Sequence, residues 1–313
     1  MPETDLSCDD QGRYADEVCT AGSLLYQESG VTARLLLNRP RRCNALSLSL
    51  LEALCRRLAD LKERTDLRVL LIGGVGTHFC SGLDLSQAVD GVPVELDRIE
   101  AEEFLGGRLP KTLLDVFPQG GGGKTLLIPK SFWMPRLVTE VLYRVGSLPQ
   151  VVVGLARGAA LGGGGGILVV CDIALAEPDL QIGFPECRRG LLPTLLHPFL
   201  TRRTSTAALY PYLLTGEPVP FTEALRLGLV DLPLPKGALA EQGVADRTIS
   251  GVVEGVLAGA PEQIRQTKRL MGGAGAPTVD EITDGLLRHW ESWNGPAARE
   301  GVAAFLEKRA PRW

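Results

Sequence analysis

The chain has 313 residues, 45% hydrophobic and 22% charged, with a formal net charge of −4. This is ordinary globular composition, and its mild acidity marks neither a nucleic-acid nor a membrane-surface protein. The acidic amino terminus lacks the apolar core of a secretory signal, no window approaches 18 apolar residues, and the cysteines form no C-x-x-C pair, so a reduced, cytoplasmic protein without structural metal is expected.

Residues 1–22 are expected to be a flexible tail, 23–260 a core and 261–313 a helical region. In "SLLYQESGVTARLLLN" two short apolar runs flank Glu28-Ser29-Gly30, which predicts a hairpin. "SLSLLEALCRRLADLKERTD" places Leu48, Leu51, Leu54, Leu58 and Leu61 at helical spacing, and "LRVLLIGG" reads as a buried strand. The order strand, strand, helix, strand returns in "PQVVVGLARGAAL", "GGILVVCD" and "IALAEP", which argues an α/β fold. Between these blocks lies an insertion at about 88–136, rich in Gly and Pro, expected to be a long loop. Its "GGGGKT" is no phosphate loop: Pro118 stands where that signature requires glycine. His78, His197 and His289 are scattered, with no metal-ligand spacing, and Ser49 and Ser81 lack a nucleophile-elbow context.

Five consecutive glycines, Gly162 to Gly166, enter the apolar run that ends at Cys171-Asp172. Glycine is the costliest ordinary residue to order, yet it lets an oxygen approach the unpartnered N–H groups at a helix start. The run therefore reads either as a tight packing turn or as half of an oxyanion hole. "HFCSGLDL" (78–85) leaves a strand with Gly-x-Asp and reads as the other half.

Taken in order, "LNRPRRCNALS" (37–47), "FCSGLDL" (79–85), "LGGGGG…CDIALA" (161–176) and "IGFPE" (182–186) resemble the crotonase (enoyl-CoA hydratase/isomerase) superfamily. "TGEPVPFTEALRLGLVD" and "EGVAAFLEKR" resemble its later helices. The resemblance implies a spiral of strand-strand-helix units, a carboxy-terminal helical oligomerisation region, and a homotrimer or hexamer. It implies no cofactor beyond the carrier of the acyl group: a CoA thioester, or phosphopantetheine on an acyl carrier protein. By position, the backbone N–H groups of Leu83 and Gly163 would hold the thioester carbonyl, and bulk at Gly163 would block that hole. Glu186 would be the catalytic acid–base; its bland reading is a carboxylate at a helix entry. Ser81 and Asp84 beside the donor loop are expected to contact substrate. Arg41 and Arg42, with Phe305 and Lys308, would meet the CoA or phosphopantetheine phosphate, and His197 or Arg202 could reach a distal carboxylate on the acyl group.

Hydratases of the superfamily carry a second glutamate where this chain has Gly166. Two single-glutamate branches remain: Δ3,Δ2-enoyl-CoA isomerases, and the dehydratases of polyketide β-branching, which act on 3-hydroxy-3-methylglutaryl-type groups. "GLLPTLLHPFLTRRTSTAALYPYLLTGEP" (190–218) is similar to the second. The sequence thus points to a dehydrating lyase, with an isomerase or a non-catalytic acyl- or partner-binding homologue as alternatives.

Overall fold

A computed structural model describes residues 22–89, 91–97, 119–120, 125–239, 247–273 and 277–313. The expected tail lies outside this set except for Gly22, as do residues 121–124 of the GGGGKT stretch.

The hairpin forms as β1 (Leu24–Ser29) and β2 (Thr32–Leu37), and alternation along β2 turns Ala33, Leu35 and Leu37 into the core. Helix α1 (Leu48–Lys62) starts at Ser47, whose hydroxyl accepts the Leu50 N–H at 3.2 Å. Its stripe buries Leu51, Leu54, Leu58 and Leu61, with Leu48 at the margin. Strand β3 (Val69–Gly74) leads through residues 78–84 into the single turn α2 (Leu85–Ala88).

The expected loop at 88–136 is ordered in its described parts. Strands β4 (Val94–Asp97), β5 (Gln119–Gly120) and β6 (Thr125–Ile128) pair antiparallel in the order β4-β6-β5. Leu126 and Ile128 on alternate positions of β6 fix this sheet to the core. The long helix α3 (Lys130–Ser147) begins inside the expected insertion and carries Pro135.

Strands β7 (Val151–Ala156) and β8 (Ala159–Leu161) precede helix α4 (Gly163–Val169), and β9 (Ile173–Ala176) and β10 (Gln181–Gly183) follow it. Then come α5 (His197–Arg203), α6 (Thr206–Thr215), α7 (Phe221–Arg226) and β11 (Leu232–Pro233). Four helices end the chain: α8 (Arg247–Ala258), α9 (Pro261–Gly273), α10 (Val279–Trp293) and α11 (Pro296–Leu306). The main sheet runs β1-β2-β3-β7-β9-β11, parallel after the hairpin, and β8 and β10 make a separate parallel pair. This is the expected α/β spiral. Leu70 and Ile72 of β3 join the cluster with α1 and α3, while Val69 and Leu71 join the one with α8. Among the described residues no helix is long and apolar enough to cross a membrane.

The glycine run is fitted residue by residue. A Cβ on Gly164 would stand 2.3 Å from the Cys80 carbonyl oxygen, a backbone atom that has nowhere to go. One on Gly163 would meet only side-chain methyls of Leu46 and Val138, both at 3.2 Å, which can yield. Gly166 is packed against Leu196 and Leu142, at 2.7 and 3.2 Å from its would-be Cβ. Chemical denaturation should therefore show Gly164→Ala destabilised by about 3 kcal/mol, at the upper end for overpacking. Gly163→Ala should stay within about 1 kcal/mol of wild type, because a better helix former offsets the crowding. Equal losses in the two variants would contradict this packing.

Candidate active site

Two main-chain segments meet to make the site. Leu46 and Leu83 form an isolated parallel bridge in which the Leu46 N–H donates to Gly82 O at 2.8 Å and the Asp84 N–H donates to Leu46 O at 3.1 Å. In such a bridge Leu83's own N–H and C=O face the opposite way. On that side lies the glycine run: a Cβ on Gly82 would come within 2.6 Å of Leu161 O and 3.7 Å of Gly163 N. Gly163 is the first residue of α4, so its N–H has no partner within the helix. Among the described residues, neither Leu83 N–H nor Gly163 N–H donates to another main-chain group outside that helix. Two open donors thus flank one cavity.

The cavity measures about 90 Å³, and its polar lining comes from Ser81, Glu186, Arg189 and His289 beside the Leu83 and Gly163 main chain. Val138, Leu191 and Leu196 are among its apolar walls. Glu186 sits in the 3-10 turn Pro185–Arg189, which Pro185 starts with its fixed φ. Its Oε2 is shut off from solvent without a hydrogen-bond partner. Its Oε1 lies 3.1 Å from where a Cβ on Gly162 would stand. Burial pushes the carboxyl up to about 7, against the opposing pull of its own main-chain N–H and the Arg189 charge.

The carboxy-terminal helices fold onto this same cavity. The main chain of α11 lies on the Glu186 turn, where a Cβ on Gly190 would stand 2.1 Å from Ala297 O and one on Gly301 2.3 Å from the Arg189 carbonyl carbon. The Arg189 guanidinium covers the Phe305 ring at 4.4 Å and donates to Pro185 O at 3.0 Å. Phe305 thereby lines the cavity, although half of it is exposed.

Other expected residues stand elsewhere. Asp84 does not line the cavity. Both Arg39 guanidinium nitrogens reach its Oδ2 at 3.1 Å, and its Oδ1 accepts from Ser86 at 2.6 Å and from Arg42 at 3.5 Å. Burial pushes this carboxyl up, but the hydrogen bonds from Ser86 and Arg39, with the charges of Arg39 and Arg42, outweigh it and hold it below the usual carboxylate range. Asp84 braces the donor loop, and Arg42 is partly committed to that brace. Arg41 and Lys308 are exposed, and neither lines the cavity. Arg202 pairs with Glu281 and His197 is exposed, and neither lines this cavity. A larger cavity of about 470 Å³ between α3, α5 and α9 contains none of the expected catalytic residues. Arg189 and His289 are the groups that sequence reasoning passed over. For Arg189 the available signal was its place three residues after Glu186.

A Cβ on Gly163 would press on Leu46 and on Val138, a wall of this cavity, whereas the residue beneath the Glu186 carboxylate is Gly162, at φ +50.

The family model described as enoyl-CoA hydratase/isomerase matches residues 132–313, and a second of the same description matches 32–106. The chain belongs to the enoyl-CoA hydratase/isomerase family. Among its relatives, a Thermus thermophilus protein described as an enoyl-CoA hydratase is 28% identical over 91% of this chain and 98% of its own length. The mevalonyl-coenzyme A hydratase sidH of Aspergillus fumigatus is 27% identical over 89% of this chain and 90% of its own. Of solved structures, Pseudomonas aeruginosa AtuE superposes with a TM-score of 0.63 at 27% identity, covering 93% of this chain and 98% of that one. An enoyl-CoA hydratase from Bacillus halodurans gives 0.71 at 18% identity, covering 90% and 100%, a likeness of fold.

The raised Glu186 carboxyl has a consequence for stability. Unfolded it ionises near 4.5, folded near 7, so between those values the folded chain holds the extra proton. Wild-type stability should fall as pH rises through that window, by up to about 3 kcal/mol in all. Glu186→Gln should match wild type at pH 4 and exceed it at pH 8, read from denaturant midpoints; parallel pH curves would contradict the burial. Asp84→Asn should behave oppositely. It should lose about 3 kcal/mol at neutral pH by stranding Arg39, with the gap closing as pH falls through the depressed Asp84 pKa.

Proposed function

We propose that this family member is an acyl-thioester lyase that dehydrates a 3-hydroxyacyl group with Glu186 as its single acid–base. The observation that carries the reading is the pairing of one carboxyl, raised to about 7 with its Oε2 unpartnered, with two open backbone donors across the same cavity. The second-acid position supports it. Gly166 is walled by Leu142 and Leu196, so no other carboxylate shares the work from there.

In this mechanism the thioester carbonyl accepts from the Leu83 and Gly163 N–H groups. The ionised Glu186 takes the Cα proton, and the electron pair moves onto the carbonyl oxygen, where the two donors hold the enolate charge. The pair then returns to form the Cα–Cβ double bond as the Cβ–O bond breaks. Glu186 gives its proton to the departing hydroxyl, which leaves as water. A carboxyl poised near neutrality suits both transfers, since the same group acts first as base and then as acid.

The acyl group in this proposal is of the 3-hydroxy-3-methylglutaryl type, carried on CoA or on an acyl carrier protein in polyketide β-branching. The mevalonyl-coenzyme A hydratase among the relatives supports a branched 3-hydroxy substrate. A soluble, cytoplasmic homotrimer or hexamer belongs to the same proposal.

Intact-mass measurement on a carrier protein loaded with 3-hydroxy-3-methylglutaryl, beside the CoA ester, should show loss of one water. Glu186→Gln should slow that loss by about 10²- to 10⁴-fold. Gly162→Ala, by moving the carboxylate, should cost about 10²-fold. The kcat/KM of wild type should rise with pH and level off above about 7, as Glu186 ionises. Conversion of a 3-enoyl thioester without any water loss would replace this reading with the isomerase, and a tight complex with no turnover would replace it with a binding protein.

A further inference from the structure

His289 is carried by α10 into the cavity that holds Glu186. Several contacts fix that helix. Gly285, one turn earlier on the same face, approaches the Thr194 carbonyl so closely that a Cβ would stand 2.6 Å from it. Trp290 meets Phe132 of α3 edge-on at 5.4 Å, and a capping box joins Thr278 and Glu281 at the start. The imidazole lies beside Trp293, 4% exposed, and neither ring nitrogen makes a hydrogen bond of normal geometry. Burial draws its pKa down to about 4, although the nearby Leu192 main chain favours the charged form. The ring is therefore neutral at pH 7, with one N–H to donate and one lone pair to accept.

A buried polar group left unpaired is costly, and native proteins rarely retain one without a partner from outside. Two such groups share this cavity, Glu186 Oε2 and the His289 ring. A 3-hydroxyacyl thioester supplies two oxygens. The carbonyl is taken by the Leu83 and Gly163 donors, and the β-hydroxyl faces the carboxyl that must protonate it. Neither is left over for His289.

We infer that His289 hydrogen-bonds a further oxygen on the acyl group, beyond the carbonyl and the β-hydroxyl, and so selects an acyl chain with a polar end over a plain alkyl one. This rests on the thioester reading above and names its specificity residue. The chemistry shared by the candidates is a terminal oxygen, either hydroxyl or carboxylate.

Three CoA thioesters test this, alike except at the chain end: 3-hydroxy-3-methylpentanoyl (methyl), mevalonyl (hydroxymethyl) and 3-hydroxy-3-methylglutaryl (carboxylate). Calorimetric binding to the Glu186→Gln protein avoids turnover. Adding His289→Leu should weaken at least one oxygen-ended ester by about 10- to 100-fold and leave the methyl-ended ester unchanged or tighter. His289→Gln, which keeps a donor and an acceptor, should recover part of the loss. Nitrogen-15 resonances of the ring, assigned by their absence from the His289→Gln protein, provide a readout that needs no folded leucine variant. A neutral ring locked in one tautomer by the mevalonyl ester identifies a hydroxyl as the partner. Conversion to imidazolium by the glutaryl ester identifies a carboxylate. Equal weakening of all three esters, or bound oxygen-ended esters that leave the ring unmoved, would overturn the inference while the thioester site stands. Failure of all three to bind would overturn both.

Discussion

A Cβ on Gly164 would lie 2.3 Å from the carbonyl oxygen of Cys80, and one on Gly82 would lie 2.6 Å from that of Leu161. Along this seam main chain approaches main chain, with the Cys80 side chain packed beside it. The Leu161 N–H donates to Cys80 O and the Cys80 N–H to Ala159 O, which draws the strand end at 80–84 onto the start of α4. Because the contact is backbone to backbone, the separation of the two open N–H groups is set by covalent geometry and strand register instead of by rotamers. The catalytic electrostatics need that rigidity, since donors that reorganise during the reaction lose most of their effect.

The rest of the site is hung from this seam by progressively softer contacts. Arg39 and Asp84 tie the loop after Pro40 to the donor segment through a largely buried ion pair. Glycines at 190 and 301 let α11 settle on the Glu186 turn, and Arg189 over Phe305 closes the outer edge. The carboxyl then sits shut off from solvent with its Oε2 unpartnered, and this burial lifts its pKa. In the proposed reaction this same group would serve as base and as acid.

Much of this was written in local pattern. The hairpin, the leucine stripe of α1 and the buried strands each follow from periodicity over fewer than twenty residues. The glycine run and the Gly-Leu-Asp loop pointed to the two main-chain segments that meet at the cavity, and the Pro-Glu pair to the carboxyl that lines it. What the pattern hid depends on partners far apart in the chain. β4 and β6 pair across about thirty residues of Gly- and Pro-rich sequence, so neither looks like a strand alone. The first turns of α3 are masked by Pro135, which reads as a helix breaker yet is accommodated there. Asp84 sits in the right loop, but only the folded chain shows that Arg39 and Arg42 claim its oxygens. His289 is one histidine on an amphipathic helix more than a hundred residues from Glu186, and nothing local separates it from a surface residue.

The packing around Gly166 also bears on how such a site can change over evolutionary time. A carboxylate introduced there would collide first with Leu196, at 2.7 Å from the new Cβ, and next with both methyls of Leu142 at 3.2 Å. Leu196 is also a wall of the Glu186 cavity and the residue that precedes α5, so making room would alter that cavity in the same step. An acid at this position would therefore need the Leu196 and Leu142 methyls to move aside. Placing a second acid here thus concerns residues 142, 166 and 196 together instead of 166 alone.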